Sequence, residues 1–415
     1  MSNSAANDAI NMMQLTAGEL QAPVYGQQVS TARTAADGAN DFSFRLSSML
    51  AENIGNDNFV FSPYSVWLPL AALVNATDMQ NRPALLEALG AAGITQEQLN
   101  SAASRMLYDL TKQRNKEYED EEFYYNPLSI VNAIFVGNTV TLNRDFAQTF
   151  LDYYRGNTIN VDFSSRDAID AVNRWASENT DGLITDLIQE FDPLTVAVIA
   201  NAVYFSDRWG WEFNPDQTEK DVFHSPAGDT MADYMLREGN AQIYYEDDRV
   251  QAMPLYFKNG GALYIVLPKD GDASNLLYSM TNEYFSEIQM DAIQATGRLL
   301  LPKFSIENEI SGLKEALVAL GVPLFNIDSA PLTGGLIDED IPVWLSGAIQ
   351  KAIIKVDEEG TTAAAVTILP APGAGMPQPT EPFEMICNKP FIFILCERTY
   401  DGGNQVLFTG IVNQP

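Results

Sequence analysis

The stretch from Gly360 to Thr380, GTTAAAVTILPAPGAGMPQPT, has no charged side chain, although this 415-residue chain carries 55 Asp and Glu residues and a formal net charge of −31. Residues 361–369 are small or β-branched, so they tolerate exposure and also fit into a sheet with little steric cost. Written as a strand, Thr361, Ala363, Ala365, Thr367 and Leu369 share one face, and all can be buried. The continuation, from Pro370 to Pro379, is an extended, poorly hydrogen-bonded backbone of the kind that proteases bind and cut. Two readings stand on this segment alone: a flexible surface loop, or a piece that is both cleavable and able to join a sheet.

The rest of the chain supplies a large core. It is 46% hydrophobic and 19% charged, an ordinary globular balance, and no run of eighteen apolar residues is present, so no membrane span is expected. The acidic balance repels nucleic acid and anionic lipid, and it suits either a cationic partner or simple solubility. The acidic run around Lys116 to Tyr125 lacks calcium-loop spacing and reads as a solvated face. Residues 1–36 are rich in Ala, Gln, Ser and Thr and read as a tail or a loosely docked helix.

Periodicity places helices early and strands late. Phe42, Leu46, Met49 and Leu50 mark one face of a helix. A short apolar strand then leads to Ser62 as helix cap and Pro63 as first helical residue, with Pro69 inside the helix. Strand-like SIVNAIFVG and TVAVIANAVYFSDRW flank helical SRDAIDAVNRWASEN. Hairpins are expected at Asn259-Gly260-Gly261 and Asp401-Gly402-Gly403. These elements make one mixed α+β domain built on a large, mostly antiparallel sheet.

Catalytic chemistry is scarce. His224 is the only histidine, and its surroundings, DVFHSPAG, offer no nucleophile elbow, so a structural histidine is the simpler reading. The HExxH, GxxxxGK[ST] and GxGxxG patterns are absent. Cys387 and Cys396 fall on opposite faces of any single strand, which disfavours a local disulfide, and no zinc pattern exists. An enzyme is therefore not expected, nor is a cofactor or metal.

Five segments resemble, in order and spacing, the signature segments of the serpins: NFVFSPYSVWLPLAALVNATD, IANAVYFSDRWGWEF, LPKFSIENEISGLKEALVALGV, KAIIKVDEEGTTAAAVT and NKPFIFILCERTYDGGNQVLFTGIV. The likeness covers residues 37–413. It implies a fold of three β-sheets and eight or nine helices, with a reactive-centre loop at about 358–382. It also implies a suicide-substrate mechanism, in which a serine protease cuts the loop, is held as an acyl-enzyme, and is displaced when the loop inserts into the main sheet.

The resemblance assigns roles by position. Glu358, Gly360, Thr361, Ala363, Ala364 and Ala365 match the hinge of inhibitory members. The scissile residue, sixteen positions beyond the hinge glutamate, falls at Ala374, with Gly375 following it, and the strand up to Ala374 spans about 50 Å. Lys303 is expected to pair with Glu358 above Trp209, at the breach where the loop joins the sheet. Ser62, Ser65 and Asn201 match the shutter; its usual histidine is replaced by Gln350, which cannot become charged. Pro370 and Pro372 lie in the segment that must insert and put its efficiency in doubt.

An alanine in this loop suits an elastase-like or subtilisin-like protease, and a cationic elastase-like partner would be steered by the −31 charge. The alternative implied is a non-inhibitory serpin, a binding or carrier protein with a protease-sensitive loop. A monomer is expected. The first residues lack the basic head and apolar centre of a secretory signal, yet the family's habit makes a secreted or cell-surface, bacterial-type protein the expectation.

Overall fold

The computed structural model describes residues 10–22, 29–52, 54–112, 128–180, 182, 184–191, 195–258, 260–361, 382–399 and 403–415. In chain order the first half runs β1 (Ile10–Met12), α1 (Val29–Ala51), β2 (Phe59–Phe61), α2 (Pro63–Leu73), α3 (Arg82–Ala88), α4 (Gln96–Lys112), β3 (Leu128–Gly137), α5 (Arg144–Tyr154), β4 (Gly156–Val161), α6 (Arg166–Asn179) and β5 (Ala197–Phe205). There follow β6 (Glu219–Ser225), β7 (Gly228–Glu246), β8 (Val250–Tyr256), β9 (Ala262–Pro268), α7 (Ala273–Tyr278), α8 (Asn282–Met290) and β10 (Ile293–Pro302). The chain closes with β11 (Phe304–Glu309), α9 (Leu313–Ala319), β12 (Gly347–Val356), β13 (Phe383–Ile386), β14 (Phe391–Arg398) and β15 (Asn404–Val412).

The main sheet has six strands in the order β1-β4-β3-β5-β12-β11. Its central neighbours, β5 and β12, are parallel, with Gln350 opposite Asn201 and Ile353 opposite Tyr204. The other strands form two further sheets, one of β6, β7, β10 and β13 and one of β8, β9, β14, β15 and β2. The 19-residue β7 runs through both, so by strand pairing they are one nine-stranded sheet, an eight-strand path with β6 paired to β7 beside it. Nine α-helices occur among the described residues.

Local chemistry explains the packing. Every residue of α2 is buried, as expected for a helix that is apolar on all sides. Phe42, Leu46 and Leu50 of α1 are buried along one face, and α2 and β14 supply much of the same core. Gly410 of β15 is glycine because a Cβ there would collide with the Phe393 ring. The hairpin ends match expectation: Tyr256 pairs with Ala262 and Arg398 with Asn404.

Within residues 1–36, which read as a tail or a loosely docked helix, residues 10–22 and 29–36 are described. The first helix begins at Val29, and β1 pairs antiparallel with β4 and so forms an edge of the main sheet. The Gly18 amide donates to Asp152 Oδ1 at 2.7 Å and the Gln21 amide to Ser104 Oγ at 2.9 Å. Backbone amides and two partly buried apolar side chains, Met13 and Leu20, do this docking, so a composition poor in large apolar residues does not signal it.

Cys387 and Cys396 are buried and unbonded to each other, and burial pushes both thiols up. His224 is exposed on the β6–β7 hairpin, with Nδ1 2.9 Å from Asp229 Oδ1. No helix of the described residues is long and apolar enough to cross a membrane.

Candidate functional site

Strand alternation places Gln350 of β12 and Asn201 of β5 side by side, facing α2. Gln350 Oε1 accepts from the Ser62 amide at 2.9 Å. Its Nε2 donates to the Ser62 carbonyl at 2.8 Å, Ser65 Oγ at 2.9 Å and Asn201 Oδ1 at 3.0 Å. Ser65 Oγ lies 2.5 Å from Asn201 Oδ1. All four of these residues are buried, so the network ties α2 to both parallel strands with its polar atoms satisfied.

Ser62 departs from the expected cap chemistry. It occupies the cap position of α2, but its hydroxyl makes no cap bond and donates instead to the Leu407 carbonyl at 2.7 Å. A fifth member, Asn132 of β3, meets Asn201 Nδ2 at 2.5 Å. An Asn inside the apolar SIVNAIFVG was the available signal, since a buried amide needs partners.

The second constellation lies where the chain leaves β12. Lys303 Nζ and Glu358 Oε2 are 2.8 Å apart, and the Thr218 hydroxyl donates to Glu358 Oε1 at 2.8 Å. The bond from Glu358 raises the Lys303 amine above its ordinary value, against a desolvation cost. For Glu358, burial pushes the carboxyl up, but the bonds from Lys303, its own backbone and Thr218 outweigh this and hold it below the usual range.

Trp209 is fully buried beneath this pair, stacked on Phe257 with centroids 4.7 Å apart. Its indole N–H donates to the Asp357 carbonyl at 2.9 Å and its amide to the Glu359 carbonyl at 3.0 Å. The Phe213 amide reaches the Glu358 carbonyl at 2.9 Å. The turn at 357–360 is thus held from the segment that follows β5.

Gly360 and Thr361 go further. Gly360 forms an antiparallel bridge with Arg208, and a Cβ on it would collide with the Asp207 carbonyl. Thr361 is fully buried, its amide donating to the Asp207 carbonyl at 2.8 Å while its hydroxyl accepts from the Asp207 amide at 2.8 Å. Asp207, Asp357 and Thr218 hold this constellation together and were not legible as a group, because only the fold brings them together. The expected hinge residues Ala363, Ala364 and Ala365 and the bond between Ala374 and Gly375 lie outside the described residues.

Comparison with known proteins agrees with this geometry. The family model described as Serpin (serine protease inhibitor) matches residues 37–415. Plasminogen activator inhibitor 1 of Bos taurus is 30% identical over 394 residues, covering 92% of each chain. The crystal structure of the thermophilic serpin tengpin in its native state is similar with a TM-score of 0.79 and 26% identity, over 97% of this chain and 98% of that one. Human thyroxine-binding globulin complexed with thyroine shares the fold, with a TM-score of 0.77 and 22% identity, over 93% of this chain and all of that one. With a family model spanning nearly the whole chain, a relative at this identity, and the α+β fold of nine described helices that its solved neighbours share, the chain belongs to the serpin family.

Proposed function

We propose that this serpin inhibits serine endopeptidases of elastase-like or subtilisin-like specificity as a suicide substrate. The protease cuts the loop, with Ala374 as acyl donor and Gly375 as the new N-terminus. The freed strand then inserts between β5 and β12 and carries the acyl-enzyme along the sheet. The protease supplies the chemistry, and the serpin supplies a kinetically arrested fold.

One observation supports this reading above others. Gly360 already bridges antiparallel to Arg208, just past the end of β5, and Thr361 is already buried against Asp207. A strand continuing in that direction lies antiparallel to both β5 and β12, and the residues beyond, from Thr362 to Leu369, carry no charge to desolvate. Pro370 and Pro372 each cost a ladder bond near the end of the journey, so some turnover as substrate accompanies trapping. Glu358, Lys303 and Trp209 hold the root of the loop, while Ser62, Ser65, Asn201 and Gln350 control separation of the two strands.

The test is titration with pancreatic elastase and with subtilisin. A complex that survives denaturing gels, a released peptide beginning at Gly375, and a rise in melting temperature of the cleaved chain are the expected results. A cleaved chain with unchanged melting temperature and no complex would instead favour a binding or carrier protein, a role that the name of thyroxine-binding globulin shows this fold can serve. The acidic charge favours a cationic target, so association should slow as salt rises. A secreted or cell-surface monomer fits this role.

A further inference from the structure

We propose that Trp211 anchors the target protease outside the reactive loop, taking a Lys or Arg side chain of the protease against its indole face. This rests on the inhibitory reading given above and goes beyond it by naming a contact on the body of the serpin.

Two tryptophans two residues apart have opposite surroundings. Trp209 is fully buried, whereas Trp211 is 70% exposed. A single exposed apolar side chain is ordinary on a protein surface, but this one stands on a turn fixed from several sides. The Gly210 amide donates to the Tyr256 carbonyl at 2.7 Å and the Phe213 amide to the Glu358 carbonyl at 2.9 Å. Arg237 donates through Nη2 to the Trp211 carbonyl and lies over the Phe213 ring, 4.3 Å from its centroid. Lys258 pairs with Glu212 at 3.2 Å. A large aromatic side chain on a rigid backbone loses little freedom when a partner covers it, which makes tryptophan an effective anchor.

Its position decides what it can reach. The reactive loop runs between Thr361 and β13. The turn binds the first end of the loop through the Glu358 and Glu359 carbonyls. It approaches the second end through Arg237. Leu299 of β10 pairs with Arg237 on one side and with Met385 of β13 on the other, so Arg237 and Met385 are two strand spacings apart, about 10 Å. Trp211 therefore stands between the two roots of the loop, on ground that a protease seated on the loop covers.

The surroundings select the chemistry of the partner. Asp216 and Glu219 follow the turn and are exposed, and the whole chain carries a net charge of −31. Nearby cations are matched, Lys258 by Glu212 and Lys220 by Asp233 opposite it on β7. An electron-rich indole face beside exposed carboxylates suits a cation, and the acids steer that cation in.

Docking is read without cleavage by titrating the full chain with pancreatic elastase whose catalytic serine is replaced by alanine. Trp211→Ala should weaken binding about tenfold and Trp211→Phe about twofold, while Trp211→Leu, apolar but without a π face, should fall like the alanine variant. Each variant should keep the wild-type melting temperature. Each should also take up a synthetic peptide with the sequence of residues 361–374 at the wild-type rate on native gels. Binding unchanged in Trp211→Ala, or fully retained in Trp211→Leu, overturns the anchor. So does a wild-type chain that holds the inactive protease no more tightly than a synthetic peptide of residues 358–382 does. A loss of binding that comes with a lowered melting temperature makes Trp211 structural and overturns it as well. In each of these cases a covalent complex of the wild-type chain with active elastase leaves the inhibitory reading intact. A wild-type chain that neither binds the inactive protease nor traps the active one overturns both.

Discussion

Thr361 and Asp207 are bound to each other three times, amide to carbonyl and amide to hydroxyl at 2.8 Å and hydroxyl to carbonyl at 3.2 Å, so the residue after Gly360 is already held against the segment that follows β5. Its side chain has no solvent exposure. Thr361→Arg places a charge in this position without a partner, at a cost of several kcal/mol. The loop should still be cut by elastase, but covalent complex on denaturing gels should fall at least tenfold.

Gly360→Val addresses the same contact from the backbone side. The new Cβ meets the Asp207 carbonyl, so the bridge to Arg208 must open, at about 1–3 kcal/mol. Hydrogen exchange should show the Thr361 amide losing its protection, while the Gln350 side-chain network, on β12 well below the bridge, stays protected.

The Lys303–Glu358 pair carries a pH signature. Glu358 titrates below its ordinary value when folded, so its contribution is present above the ordinary carboxyl pKa of about 4.3 and is lost as pH falls through the depressed folded value. Lys303 titrates above its ordinary value, so its contribution is present below about pH 10.4 and is lost as pH rises through the raised folded value. With the lysine side chain 39% exposed, screening limits the pair to about 1 kcal/mol. Glu358→Gln should lower the unfolding midpoint by about 2 °C between pH 5 and 9, and the difference from wild type should vanish in acid.

Gln350 predicts the behaviour of the sheet's centre. It cannot ionise, so the rate of peptide uptake should be flat from pH 5 to 8 where this network is concerned. Gln350→His should introduce an acid-dependent change near pH 6.5, the ordinary imidazole value. Gln350→Ala strands partners on Ser62, Ser65 and Asn201 and should cost about 2–4 kcal/mol in urea unfolding.

Much of this architecture was legible where one short segment determines its own structure. The face Phe42–Leu46–Leu50, the proline start of α2 and the late hairpins follow from local periodicity and turn chemistry. The Lys303–Glu358 pair and the Ser62–Ser65–Asn201–Gln350 network followed from segment resemblance alone, since their members lie far apart in the chain. What escaped was whatever depends on two elements meeting. Asn132 looks like an interruption of a strand until β3 is placed beside β5, and Asp207 is one of many acids until Thr361 folds back onto it. The strand pairing and docking of residues 10–22 escaped because they rest on backbone amides, which have no letter in a sequence, and on only two packed apolar side chains, Met13 and Leu20.

The parallel neighbours β5 and β12 are paired directly with each other, so a strand inserted between them, which on the inhibitory reading comes from the chain itself, must first part them. On the inhibitory reading each molecule is consumed by a single encounter. Protection then scales with the number of copies made and not with time, and an organism using this protein must meter its supply against the load of protease it expects.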